Sequence, residues 1–154
     1  MYDTYHHSDL RRLIEHRGYP SLSIYTPTHA SGTERQGDAI QYRRLIRHCE
    51  ADLSAGGMRT ADVRRLLQSA ASVIADESYW EEREEGLAVF LVPDYFECFR
   101  MPVAFEPLSY VGDRFLVAPT LLALERQRPF FLLAVSPKRL RLWRAEDGKL
   151  VSVD

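Results

Sequence analysis

The chain has 154 residues, 45% of them hydrophobic and 27% charged, with a formal net charge of −2 at pH 7. That length fits one ordinary domain, whose folding buries roughly 70% of the unfolded surface, and the composition excludes a disordered or collagen-like chain. The near-neutral charge argues against bulk attraction to nucleic acid, and the longest apolar runs, such as Phe130 to Val135, fall far short of the ~20 residues a membrane span requires.

The N-terminal stretch MYDTYHHSDLRR lacks the apolar centre of a signal peptide, so a cytoplasmic location with no membrane partner is expected. Ser8 is placed to cap a short helix, SDLRRLIEHRG, with Leu10, Leu13 and Ile14 on one face and Gly18 ending it. His6 and His7 fall in a frayed terminus, and His16 is a cation at the helix end. The strand SLSIYT follows, with Leu22 and Ile24 on one side and Ser23 and Tyr25 on the other. A polar loop spans 26–37, and Asp38 is read as opening a helix whose stripe is Tyr42, Leu45, Ile46, Cys49 and Leu53. The stretch SAGGMRT breaks it, because two adjacent glycines cost about 2 kcal/mol relative to alanine inside a helix. Thr60 caps a second helix, ADVRRLLQSAASVIADESYW, and the two make a helical hairpin.

After Gly86 the period becomes strand-like. LAVFLV at 87–92 reads as a strand covered on both faces, Pro93-Asp94 as a turn, and YFECFRM as the returning arm of a hairpin. PLSYVG is a further strand, and Pro119 begins a short helix, PTLLALERQR. FFLLAVS, RLRLWRA and KLVSVD are three more strands. The pattern predicts an α/β fold, with α+β as the alternative: a mixed, hairpin-rich sheet flanked by helices. Cys49 and Cys98 lack metal spacing and read as buried structural thiols.

Chemistry-bearing residues concentrate in and after the loop 26–37. Thr26, Thr28, Ser31 and Thr33 supply hydroxyls, His29 and Arg35 supply charge-assisted donors, and a helix N-terminus follows. Residues 35–65 hold seven arginines against four acids, so the stretch is locally basic despite the net charge. Arg43, Arg44 and Arg47 lie opposite the apolar stripe and, with Arg35, Arg64 and Arg65, offer a basic face for an RNA backbone. The bland reading is a solvated face neutralised by Glu50 and Asp52. The anion or RNA-binding candidates are thus Thr28, His29, Ser31, Arg35, Arg43, Arg44 and Arg47. The acidic run Glu81, Glu82, Glu84 and Glu85 points its carboxylates in different directions and reads as solvated rather than as a metal site. In RLRLWR, Arg139, Arg141 and Trp143 alternate on one face, the pattern of a base-stacking platform, or of an ordinary half-buried sheet where another domain covers it. No GxSxG, HExxH or phosphate-loop fingerprint occurs.

SIYTPTH at 23–29, the trio Asp76, Tyr79 and Trp80, GLAVFLVPDYFECFRMP at 86–102 and VGDRF at 111–115 resemble, in the same order, the bacterial archaeo-eukaryotic release factor family. The resemblance runs from about residue 9 to residue 144 and implies distant kinship with class I release factors and Pelota. Such proteins are more than twice this length. They carry an N-terminal α/β domain, a ribonuclease-H-like middle domain and a C-terminal domain like a ribosomal protein. By that resemblance residues 1–129 correspond to the N-terminal domain. Residues 130–154 resemble the start of the middle domain, in a piece of a longer protein, or else complete the sheet of the first. The Gly-Gly-Gln motif for peptidyl-tRNA hydrolysis belongs to the middle domain; Gly56-Gly57-Met58 lacks its glutamine, and no stop-codon-reading NIKS-like tetrapeptide occurs.

The expected function is a non-catalytic binding domain of a translation release or ribosome-rescue protein that contacts the ribosome or RNA, with no cofactor and no metal. The alternative is a protein-interaction or self-association domain, in which the strands of 130–153 offer an unpaired edge to a partner or to a second copy in a homodimer. An enzyme acting at Thr28 and His29 is the third reading, in which His29 has no evident orienting acid or nucleophile.

Overall fold

The computed structural model describes residues 3–29, 33–76, 78–81, 85–126, 129–146 and 149–153. Strand β1 (Asp3–Thr4), helix α1 (His7–Glu15) and strand β2 (Ser21–Pro27) come first, then helices α2 (Thr33–Ala55), α3 (Thr60–Ala75) and α4 (Ser78–Glu81). Strands β3 (Gly86–Val92), β4 (Tyr95–Met101) and β5 (Leu108–Gly112) precede a 3-10 turn at Ala118–Thr120 and helix α5 (Leu121–Arg126). Strands β6 (Phe130–Ser136), β7 (Arg139–Glu146) and β8 (Lys149–Val153) follow. The result is a mixed α/β fold, as the periodicities predict.

The main sheet has five strands in the order β1-β4-β3-β2-β5, antiparallel except where β1 runs parallel to β4. Its centre is the β2–β3–β4 array, with Leu22 opposite Leu91 and Val111, and Tyr25 opposite Ala88 and Leu108. Gly86 begins β3 where a Cβ would come within 2.1 Å of the Val103 carbonyl oxygen, so only glycine lets the segment after β4 approach.

Two cores sandwich this sheet. On one face Leu22, Ile24, Leu87, Val89 and Leu91 meet the helical hairpin, where the stripe of α2 packs with Val63, Leu66, Ala70 and Val73 of α3. Polar groups in this core are satisfied: the Tyr42 hydroxyl donates to the Ala70 carbonyl at 2.9 Å, and the Trp80 indole donates to the Val73 carbonyl at 3.0 Å. The other face carries an aromatic core. Phe90 packs edge-on against Tyr25 (centroids 6.0 Å), Phe99 (6.1 Å) and Phe115 (5.4 Å), and Tyr5 meets Phe99 at 5.0 Å.

The side of β2 that reads as polar is therefore buried as well. The Ser23 hydroxyl accepts the Leu116 N–H at 3.0 Å, and the Tyr25 hydroxyl donates to the Leu116 carbonyl, so the backbone of one residue satisfies both. Burial drives the Tyr25 hydroxyl's pKa far up, and the nearby Tyr5 adds to it.

Helix ends differ from the sequence reading. The position before α1 is His6, whose N–H donates to the Asp9 carboxylate at 2.8 Å; Ser8 lies inside the first turn, and His6 and His7 belong to an ordered helix start. Ile14 is 47% exposed although Leu13 is buried, because only one residue of that pair faces the aromatic core. Gly18, at φ +143°, turns the chain beyond the helix rather than ending it, its N–H donating to the Asp113 carbonyl at 2.8 Å. Arg59, not Thr60, precedes α3, and Gly57 at φ +88° supplies the left-handed residue of the α2–α3 turn. Cys49 and Cys98 are both buried and unpaired.

Strands β6, β7 and β8 form a separate antiparallel sheet. Completion of the first sheet by residues 130–154 is thus corrected: among the described residues β6, β7 and β8 pair with one another, from Phe130 opposite Ala145 to Ser136 opposite Arg139 on one side of β7 and from Leu142 opposite Val153 on the other. Among the described residues, no helix is long and apolar enough to cross a membrane.

Candidate functional site

Strand β2 runs out at Pro27, and the Thr28 N–H donates to the Glu85 carbonyl at 2.9 Å, which fixes where the chain leaves the sheet. His29 then meets Asp38 of α2 twice. Asp38 Oδ2 accepts the His29 backbone N–H at 2.7 Å, and Oδ1 lies 2.8 Å from the ring Nδ1. The Asp38 side chain is 5% exposed and that of His29 43% exposed. A buried carboxylate needs donors, so Asp38 holds the proton on Nδ1 and leaves Nε2 on the far side of the ring. The hydrogen bond to Asp38 raises the His29 pKa above its ordinary value; partial burial opposes it, and the charges of Asp38 and Glu34 add to the rise. Protonated, the ring donates to an anion through Nε2; neutral, the same nitrogen accepts a proton.

Asp38 does not open α2, which begins five residues earlier at Thr33. It stands in register with Tyr42, Leu45 and Cys49, an acid on a buried stripe. That position was the available signal, because a carboxylate on a buried face requires a partner. The expectation that His29 lacks an orienting acid is likewise corrected, since Asp38 is that acid.

The other candidates fall on different surfaces. Thr28 is buried at the end of β2. Ser31 lies outside the described residues, and Arg35 lies in the first turn of α2 with its side chain outside them. Arg43, Arg44 and Arg47 are exposed on the side of α2 away from Asp38, as 3.6 residues per turn requires. None of the three forms an ion pair among the described residues, so the neutralising contacts expected from Glu50 and Asp52 are not formed there. Thr28, His29 and Asp38 are thus brought together, and the arginines form a separate outer face of the same helix. Of the acidic run, Glu82 and Glu84 lie outside the described residues. Among the described residues, no group of three or more His, Cys, Asp or Glu is arranged to hold a metal ion. Burial pushes the Cys49 thiol up to about 12 and raises Cys98 further, so both thiols stay protonated near neutral pH.

This geometry fixes a pH dependence. Because the His29 pKa is raised on folding, its stabilising contribution is fully present below the unfolded value of about 6.5 and is lost as pH rises through the higher folded value. An NMR titration of the His29 ring is expected to give a midpoint above that of an exposed histidine, and Asp38→Asn is expected to bring it down. An unmoved midpoint in Asp38→Asn contradicts the assignment.

No family model matches the chain, and no curated protein matches it. Among solved structures, one described as "Archaeal protein" shares the fold, with a TM-score of 0.51 over 96% of this chain at 16% sequence identity. This chain spans 42% of that protein's length, and a likeness at that identity speaks for the fold alone.

Proposed function

We propose that this chain is a non-catalytic binding domain of a translation release or ribosome-rescue type protein, and that it contacts the ribosome or RNA. The observation that carries the reading is the outer face of α2. Arg43, Arg44 and Arg47 stand exposed there without a carboxylate partner among the described residues, on a helix whose inner stripe anchors it firmly to the sheet. Unneutralised guanidiniums on a rigid element suit phosphate contacts, because no ion pair has to be broken first. His29, kept cationic by Asp38 toward lower pH, adds a donor at the β2–α2 connection. The resemblance of its ordered motifs to those of the release-factor family supports translation as the setting. Cosedimentation with ribosomes, together with titration of ribosomal RNA, tests the reading: Arg43→Ala with Arg47→Ala is expected to weaken binding about tenfold or more and to flatten its salt dependence. Unchanged binding in the double variant contradicts it.

A second reading, self-association through residues 130–153, is favoured by one observation. Phe131, Leu133, Val135, Leu140 and Val151 share a face of the second sheet, and each is more than half exposed. On this reading the protein dimerises, and Val135→Glu with Leu140→Glu, a directly opposed pair, returns it to a monomer in equilibrium sedimentation. A wild-type monomer at high concentration removes it.

A further inference from the structure

The second sheet has two faces of different chemistry. Alternation along β7 puts Leu140 and Leu142 on the apolar face just described and Arg139, Arg141 and Trp143 on the other. Across that other face Trp143 lies opposite Leu132 of β6 and Ser152 of β8, Arg141 opposite Ala134, and Arg139 opposite Ser136. Phe130, two residues from Leu132 and so on the same face, is a diagonal neighbour of Trp143 at about 7 Å along the sheet. The partners of the two arginines are small, so nothing on β6 overtops the guanidiniums. Phe130 is 60% exposed, Arg139 and Arg141 are exposed, and Trp143 is half-buried. Neither Arg139 nor Arg141 forms an ion pair among the described residues. An open groove of about 760 Å³ at the free end of β8 is lined by Arg141, Trp143 and Ser152 of this face and by Leu140, Leu142 and Val153 of the apolar one, so it wraps the edge of β7 rather than lying on this face alone.

We infer that this face binds single-stranded RNA, with bases stacked on Trp143 and Phe130 and phosphates held by Arg139 and Arg141. Rings and cations alternate along one strand, which gives an unpaired strand a π-face for a base and a guanidinium for its phosphate at successive steps. A duplex hides its base faces in its own stack and cannot use the rings. The opposite face is mostly apolar but carries Arg144, opposite Phe131 and Val151; it lacks the succession of Arg139, Arg141 and Trp143, which separates this surface from the self-association face. The inference rests on RNA as the partner and adds to the α2 face a second, single-strand contact on β6–β8.

Tryptophan fluorescence reads the two surfaces apart. Trp80, the other tryptophan, is 6% exposed in the helical core, so quenching by added RNA reports Trp143. The full chain is titrated with an unstructured RNA of about eight nucleotides and with a duplex of the same length. Quenching by the single strand alone is expected, with about tenfold or greater loss of affinity in Trp143→Ala, read by anisotropy of labelled RNA, and retention in Trp143→Phe, which keeps a stacking ring. Arg139→Ala with Arg141→Ala is expected to weaken binding and lower the salt slope. Circular dichroism of each variant checks that the substitutions leave the fold intact. Affinity unchanged in Trp143→Ala, or equal quenching by the duplex, overturns the inference. So does quenching that grows with protein concentration in the absence of RNA, which assigns the face to self-association. Loss of ribosome binding in the Arg43, Arg47 variant leaves this result untouched, so the two proposals fail separately.

Discussion

Phe90→Ala is expected to destabilise the protein by about 3–5 kcal/mol, the usual cost of emptying a large buried aromatic site. Phe90 lies on β3 at the middle of the main sheet, has 0% exposure, and packs against Tyr25, Phe99 and Phe115. Its removal strips three edge-to-face contacts and opens a cavity that the surrounding strands, tied by their ladders, cannot collapse to fill. At this chain length the loss corresponds to roughly 10 °C or more in Tm. Phe130→Ala, on the exposed sheet, is expected to stay within about 0.5 kcal/mol. Urea unfolding of both variants checks the pair, and equal losses contradict the assignment of the aromatic core.

The second large effect concerns the β2–α2 connection. Asp38→Ala removes the acceptor of both the His29 N–H and the His29 Nδ1–H. Leaving part-buried donors without a partner costs about 1–3 kcal/mol, and the loop after Thr28 loses its tie to α2. Asp38→Asn keeps one carbonyl oxygen for the backbone N–H but offers an NH₂ group where Nδ1–H needs an acceptor. Its loss is expected to be smaller, with the His29 tautomer changed. Amide hydrogen exchange at His29 reads the loosening directly: faster exchange in Asp38→Ala than in Asp38→Asn is expected, and unchanged exchange in both contradicts the tie.

Elements whose information is local were legible in the sequence. The stripe of Tyr42, Leu45, Cys49 and Leu53 declares α2 because burial and helical period coincide there, and Pro93-Asp94 between two apolar runs declares the β3–β4 hairpin. Features that rest on contacts between distant residues were not legible. Ser23 and Tyr25 read as a polar side because nothing near them in sequence reveals that Leu116, more than 90 positions away, supplies both partners. Asp38 read as a helix cap because Asp favours that position, whereas its partner is a histidine nine residues earlier, outside any helical period. The start of α1 was missed for a related reason: the acceptor for the His6 N–H is Asp9, a residue inside the helix rather than ahead of it. The separation of β6–β8 from the main sheet was likewise hidden, since strand propensity does not say which ladder a strand joins. Of the candidate site, the arginine face followed from helical period alone, while the His29–Asp38 pair needed three dimensions.

The measurement that tests the account most directly is the salt dependence of binding to ribosomes and to ribosomal RNA. If α2 presents its arginines to phosphates, log K falls linearly with log salt concentration, and removing Arg43 and Arg47 lowers the slope by about 2. Binding that is absent at low salt, or that keeps its slope in the double variant, contradicts a phosphate-contacting role for this helix.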